Sequence, residues 1–486
     1  MLNRRKFLAS TASGAALAGL FPRVAWSELR LDPRSVRAGA GLEPLVKVLE
    51  DTPREKLLEE IAVRVKQGLA YNELLAALFL AAVRNVQPRP VGFKFHAVLA
   101  INAAHQASLS GPDSDRWLPL FWSLDSFKGS QAEEKKKTGW TLPPVDESKV
   151  PPPDKARQAF IRAIESWDVE AVDAPVVSLV RNAGAHEVFE LFFRYGMRDF
   201  RDIGHKAIYV AGAWRLLGVI GWQHAEPILR SLALALQYYT GDNPATIDAD
   251  ADRPWKFNRT IVEQAPPTWT AGKVESAATS DLLTVARTAD PEVMAKKTVD
   301  LLKAGISPRS IWDALFAAGG EILMRRPGIL SIHAMTTFNA LRYIGETSGV
   351  DETRRLALLQ ATSFVPLFRG KLDKEVRLDQ VESQTATLEE VFADVSKDKM
   401  AASRKVLGYL KEGGDAKTLV QEARRLIFMK GIDAHDWKFS SAVLEDYAQL
   451  SPVWRDRFLA ASVHHLKGSQ APDNGLVGRV RSALKM

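Results

Sequence analysis

Nine histidines, at positions 96, 105, 186, 205, 224, 333, 435, 464 and 465, are the residues here best suited to chemistry, because the chain has no cysteine. Without thiolates, the sequence excludes disulfides, cysteine-ligated zinc and iron–sulfur sites, and Cys nucleophiles. Imidazole remains as a ligand for iron, copper, zinc or nickel, or as an acid/base group. His96 stands in Phe93-Lys94-Phe95-His96-Ala97-Val98-Leu99, and His333 in Ile329-Leu330-Ser331-Ile332-His333-Ala334-Met335. Both follow a proline by a turn or two in largely apolar stretches. A single histidine in such a setting is more often a hydrogen-bonded core residue than a ligand.

An internal repeat changes that weighing. Gly68–Ala103 lies over Gly305–Ala340 with a constant shift of 237 and no gap. Ala77-Leu78-Phe79 meets Ala314-Leu315-Phe316, Arg89-Pro90 meets Arg326-Pro327, His96-Ala97 meets His333-Ala334, and Asn102-Ala103 meets Asn339-Ala340. Shared Ala and Leu alone would be expected of any two helices; the aligned Pro, His and Asn point to a duplication. A fainter correspondence lays Gly204-His205-Lys206-Ala207-Ile208-Tyr209 on Ala434-His435-Asp436-Trp437-Lys438-Phe439. Two halves packed about a pseudo-twofold axis would bring equivalent positions together. His96, His205, His333 and His435 are therefore expected as metal ligands at one centre, with iron or copper ahead of zinc.

The other polar residues sort around these four. Asp202, three residues before His205, is expected to accept from its ring and orient it, and is counted among the catalytic candidates. His224, in Trp222-Gln223-His224-Ala225-Glu226, is a further catalytic candidate. His105 is nine residues after His96, about half a turn out of phase on a helix, so it supports another contact or a secondary catalytic role. His186 with Glu190 reads as a solvated i, i+4 pair, and His464-His465 as surface. Asp248-Ala249-Asp250-Ala251-Asp252 imitates a calcium loop, but Arg253 and Arg259 occupy positions six and twelve, so a solvated loop is expected. Trp117, Phe121, Trp122, Trp214 and Trp222 read mainly as core, with some available to line an apolar pocket. No HExxH, GxSxG or Walker motif is present.

The elements that must position these groups are helices. Apolar residues recur at helical spacing over 71–86, 154–167, 186–198, 225–239, 291–304, 308–325, 351–367, 399–411, 416–429 and 451–466, with no series of alternating strands. The expected class is all-α. Gly139–Pro153, with five prolines, and the Pro-rich stretch 241–273 interrupt the pattern.

The order His96…His105, then Gly204-His205-x-x-Ile208-Tyr209…Trp222-Gln223-His224, then Ile332-His333-Ala334-Met335-Thr336-Thr337 resembles the layout of the questin-oxidase-like family. That resemblance implies a helical protein in which His96, His205, His224 and His333 share a site, with chemistry related to oxidative ring opening of polyketides. The sequence departs from the family in its N-terminus and in the charged helices after Asp351. It is also similar to uncharacterised exported bacterial proteins.

Export is read from the first 27 residues. Asn3-Arg4-Arg5-Lys6-Phe7-Leu8 precedes an apolar run from Ala9 to Leu20, and Ala25-Trp26-Ser27 offers a cleavage site. This twin-arginine pattern predicts a periplasmic protein that folds before export, as cofactor-bearing proteins often do. The segment holds Arg4, Arg5, Lys6 and Arg23 and no acid, so the net charge of +7 falls to +3 without it. No nucleic-acid partner is expected from so small a balance. The run is too short for a membrane span in the mature chain.

The expected organisation is an export signal (1–27), a first helical half (28–240), an irregular connection (241–273) and a second half (274–486). The expected activity is that of a metal-dependent oxidoreductase acting on an apolar or aromatic small molecule, with its redox partner undetermined. The competing classes are a non-catalytic helical binding or scaffold protein with structural histidines, and a metal-free acid/base enzyme.

Overall fold

The computed structural model describes residues 41–371 and 376–485; residues 1–27, where an export signal is expected, lie outside them. Among the described residues the architecture is all-α, and the only extended pairing is an isolated bridge between Lys273 and Ile306. The first stretch runs α1 (Glu43–Asp51), α2 (Arg54–Lys66), α3 (Tyr71–Asn85), α4 (His96–Ser110) and α5 (Leu118–Lys137). Then come α6 (Pro153–Glu165), α7 (Asp173–Asn182), α8 (Ala185–Gly196), α9 (His205–Ile220) and α10 (Ala225–Leu236). The Pro-rich stretch is not wholly irregular: Pro254 occupies the first turn of α11 (Arg253–Ile261), where its missing N–H costs nothing. There follow α12 (Ser276–Ala286), α13 (Pro291–Lys303), α14 (Pro308–Arg325), α15 (Ile329–Thr347) and α16 (Asp351–Arg369). The chain ends with α17 (Leu388–Val395), α18 (Lys399–Lys411), α19 (Ala416–Lys430), α20 (Ala434–Tyr447), α21 (Pro452–Ser462) and α22 (Gly475–Leu484).

Helix order is the same in α2–α5 and α13–α16. Gly68 and Gly305 each follow the first of these helices in the left-handed region, at φ +101° and +79°. Without a Cβ they reverse the chain at little steric cost. In both runs the second helix stops shortly before an Arg-Pro pair, at Asn85 and at Arg325, and the next helix carries the histidine. His96 is the first residue of α4, and His333 the fifth of α15.

Four helices build the centre. α4 packs on α9 and α20, and α15 packs on the same two, which closes a ring of α4, α9, α15 and α20. α4 and α9 are apolar over most of their surface, as buried helices must be, whereas α20 also buries Asp436, Lys438 and Asp446. Trp437 and Tyr209 are among its fully buried large side chains.

Candidate metal centre

Each helix of the ring delivers one histidine from its N-terminal end: His96 and His205 open α4 and α9, His435 is second in α20, and His333 is one turn into α15. The rings form a quadrilateral. Centroids lie 4.7 Å apart for His96–His205, 4.4 Å for His205–His333, 5.1 Å for His333–His435 and 4.5 Å for His435–His96. The four sequence-derived ligand candidates therefore share one site.

The outward nitrogens are all engaged. Nδ1 of His96 meets the Phe93 carbonyl at 2.7 Å, that of His205 the Asp202 carbonyl at 2.5 Å, and that of His333 the Ile329 carbonyl at 2.6 Å. His435 Nδ1 meets Asp433 Oδ1 at 2.5 Å. A carbonyl only accepts, so these Nδ1 atoms carry the proton and each Nε2 is left as a bare lone pair. His205 Nε2 nevertheless stands 2.9 Å from His96 Nε2 and 2.8 Å from His333 Nε2. Two lone pairs cannot hydrogen-bond each other.

Protonation does not relieve the conflict. Burial lowers the pKa of His96 to about 2 and holds those of His205 and His333 well below the ordinary value, with Lys438 adding to the effect. The positive ends of the four helices act in the same direction. His435 Nε2 is buried without any partner.

A cation is what such donors fit. His96, His333 and His435 place ligand atoms within 4.8 Å of one another and can together hold a metal ion. Imidazole nitrogens bound at about 2.0–2.1 Å to one ion lie about 2.9 Å apart at a right angle and about 3.3 Å apart at the tetrahedral angle. The His205 separations match the right-angle value. The outward Nδ1 bonds are those that metal-bound imidazoles make to fix tautomer and direction.

The backbone that aims these rings is strained. Phe93, Asp202 and Ile203 take positive φ of 51°, 51° and 49°, in company with Gly204 at +85°. Non-glycine residues in this region cost on the order of 1–3 kcal/mol each and concentrate at functional sites. Two of these three supply a carbonyl that fixes a ligand ring, Phe93 for His96 and Asp202 for His205. At α20 the same task falls to the N-cap: Asp433 accepts from the His435 backbone N–H as well as from its ring. That contact and hydrogen bond to His435 hold the Asp433 carboxyl far below the usual carboxylate range.

Lys438 is the group that sequence reasoning missed. It is buried, its Nζ is 3.5 Å from His333 Nε2, and desolvation lowers its pKa to about 7 against the pull of Asp433. It sits three residues after His435, hence on the same helix face; that spacing was the available signal.

Several expectations need correction. Asp202 does orient His205, but with its backbone carbonyl; its carboxylate accepts from the Val91 N–H at 3.2 Å. His105 points away, as its phase requires, and pairs with the Tyr71 hydroxyl at 3.2 Å. His224 is the cap residue just before α10, with its charged form disfavoured by burial and by Arg84. Among the described residues, no ring or hydrogen-bond contact joins it to the four imidazoles. His464 is buried rather than on the surface, and His465 is mostly covered, beside Asp436. His186 and Glu190 are 3.5 Å apart, with Glu190 also accepting from Ser348 and Gly349.

The centre opens through His96 onto a cleft of about 1010 Å³, large enough for a polycyclic molecule. Phe93 and Ile432, 77% and 68% exposed, line it together with Trp122. The cations on its walls are already matched: Arg54 by Asp125, Lys94 by Glu134 and Arg479 by Glu59. Beside these pairs the walls carry Ser126, Ser130, Glu55 and Asn474, so the cleft offers polar as well as apolar contact.

The chain is thus an all-α protein whose four-helix ring brings four histidines to one centre. Comparison with protein-family models, curated proteins and solved structures yields no match to it.

Proposed function

We propose that this chain is an exported, metal-dependent oxidoreductase acting on an apolar or aromatic small molecule. The observation that carries the reading is the convergence of bare Nε2 atoms from His96, His205 and His333, with the partnerless Nε2 of His435 beside them. The right-angle spacing at His205 favours iron or copper over tetrahedral zinc. An ion of this kind supplies Lewis acidity and access to a second oxidation state.

The chain's own contribution is to hold, exclude and protonate. Four neutral imidazoles leave the charge of a divalent ion uncancelled, and Asp433 offsets it only from the outer layer. The centre therefore favours an ionised oxygen on the substrate, such as a phenolate or enolate. Lys438 Nζ is placed to take up or return that oxygen's proton. Phe93, Trp122 and Ile432 cover the apolar body of the substrate and displace water from the mouth of the cleft.

The questin-oxidase-like resemblance and the twin-arginine pattern support the oxidative class and the periplasmic location. Both come from sequence alone. Oxygen uptake by iron- or copper-loaded protein against a panel of phenols and quinones is the test. Turnover by the wild type and none by His333→Ala supports the reading, whereas a loaded protein inert toward the whole panel opposes it.

A further inference from the structure

A second cavity, of about 210 Å³, lies between the end of α4, α19 and α20. Ala107, Ile427, Phe428 and Leu444 give it an apolar side, Gln106, Ser110, Ser440 and Ser441 a polar one, and Arg424 is its one cation. It shares no lining residue with the cleft at the histidines. We propose that this pocket binds a small monocarboxylic acid with an apolar body, of the size of benzoate, through Arg424.

The half-buried guanidinium is the first reason. Its neighbour Arg425 is held in a fork by Glu422, at 2.8 and 2.6 Å. Arg424 has no such partner among the described residues. Burial alone acts on it, lowering its pKa, and no nearby carboxylate offsets the effect. A partly desolvated guanidinium gains from an anion, and its planar pair of donors matches a carboxylate.

Glu445 lines the same cavity but is engaged elsewhere. Both its oxygens accept from Arg215 at 2.9 Å, and Oε2 also accepts from Asn339 at 2.9 Å. Its fixed negative charge counts against a dianion, so a monoanion is the better complement. Size points the same way: a cavity of about 150 Å³ holds benzene, and the larger volume here leaves room for a carboxylate beside the ring. The apolar side formed by Ala107, Ile427, Phe428 and Leu444 suits the ring of such an acid.

Calorimetric titration of the metal-loaded full chain with benzoate, benzamide and inorganic phosphate tests this directly. The proposal expects one saturable benzoate site, with benzamide and phosphate at least about tenfold weaker. Arg424→Gln should weaken benzoate by a similar factor without lowering the melting temperature. Absence of saturable benzoate binding, or equal affinity for benzamide or phosphate, overturns the proposal. So does undiminished binding to Arg424→Gln, which would place the carboxylate elsewhere, as at the metal centre. Should Arg424→Gln fail to fold, Arg424→Lys takes its place. It keeps the charge and loses the fork, and must also bind benzoate more weakly. The comparison of benzoate with benzamide on the wild type needs no variant at all.

Discussion

At the scale of single residues, every ligand candidate is oriented by an acceptor close to it in sequence: Phe93 three before His96, Asp202 three before His205, Ile329 four before His333 and Asp433 two before His435. Removing one imbalanced donor should therefore act on the metal more than on the fold. His96→Ala and His333→Ala are expected to reduce bound metal at least about tenfold, measured by elemental analysis, with helical circular dichroism preserved. If instead the helical signal collapses and metal stays bound to what remains folded, these histidines are packing residues. Lys438→Met keeps the side chain's volume and removes the amine that lies 3.5 Å from His333 Nε2. Turnover is expected to fall at least about 100-fold in an oxygen-uptake assay, the usual scale for losing a positioned proton carrier. The histidine pairs were legible because the sequence correspondence placed them in register; helical phase turned His105 away from them, yet the sequence still left it a catalytic candidate, a role its contact with Tyr71 does not support. Lys438 was not legible, because a lysine in a helix reads by default as solvated. His224 misled because the bend at Gly221 hides the direction of the following helix. His464 misled because two adjacent histidines look polar, while burial is decided by packing that spacing does not reveal.

Among the elements, the turn before α9 does the most exacting work. Gly204 has φ +85°, and a Cβ there would lie 2.1 Å from Thr337 Oγ1 and 2.5 Å from its methyl carbon. Thr337 in turn donates to the Ile203 carbonyl at 3.2 Å, so α9 is seated directly on α15. Gly204→Ala is expected to cost about 2–4 kcal/mol in chemical denaturation, from backbone strain and steric overlap together, and to displace His205. Gly184→Ala, at φ −67° with nothing near the added carbon, serves as a control and should change stability by less than about 1 kcal/mol. Equal stability of the two variants would mean that the left-handed turn does not constrain the centre. Helix positions were legible from apolar periodicity, as with α14 over 308–325. The nine-residue α11 was not, since the prolines around it mask a short helix whose first turn one of them in fact occupies.

For the whole molecule, pH dependence follows from histidines kept neutral by burial. His105 and His464 have pKa values lowered to about 4 from 6.5, desolvation being the main cause for each. In the unfolded chain they protonate near 6.5, so between those values the unfolded state binds more protons and stability falls as pH falls. Each should cost about 2 kcal/mol at pH 5 relative to pH 8, a loss visible as a falling midpoint in urea. A midpoint that stays constant or rises on acidification contradicts this assignment. The same molecule-wide packing closes the helical ring on which the site depends. The most direct measurement of the central claim is elemental analysis of the full-length protein purified from its expression host, for the wild type and for a His205→Ala, His333→Ala double variant. The account predicts about one first-row transition metal ion per wild-type chain and almost none in the double variant. A wild-type protein that is folded yet takes up no such metal, or a double variant that retains it in full, would contradict the account.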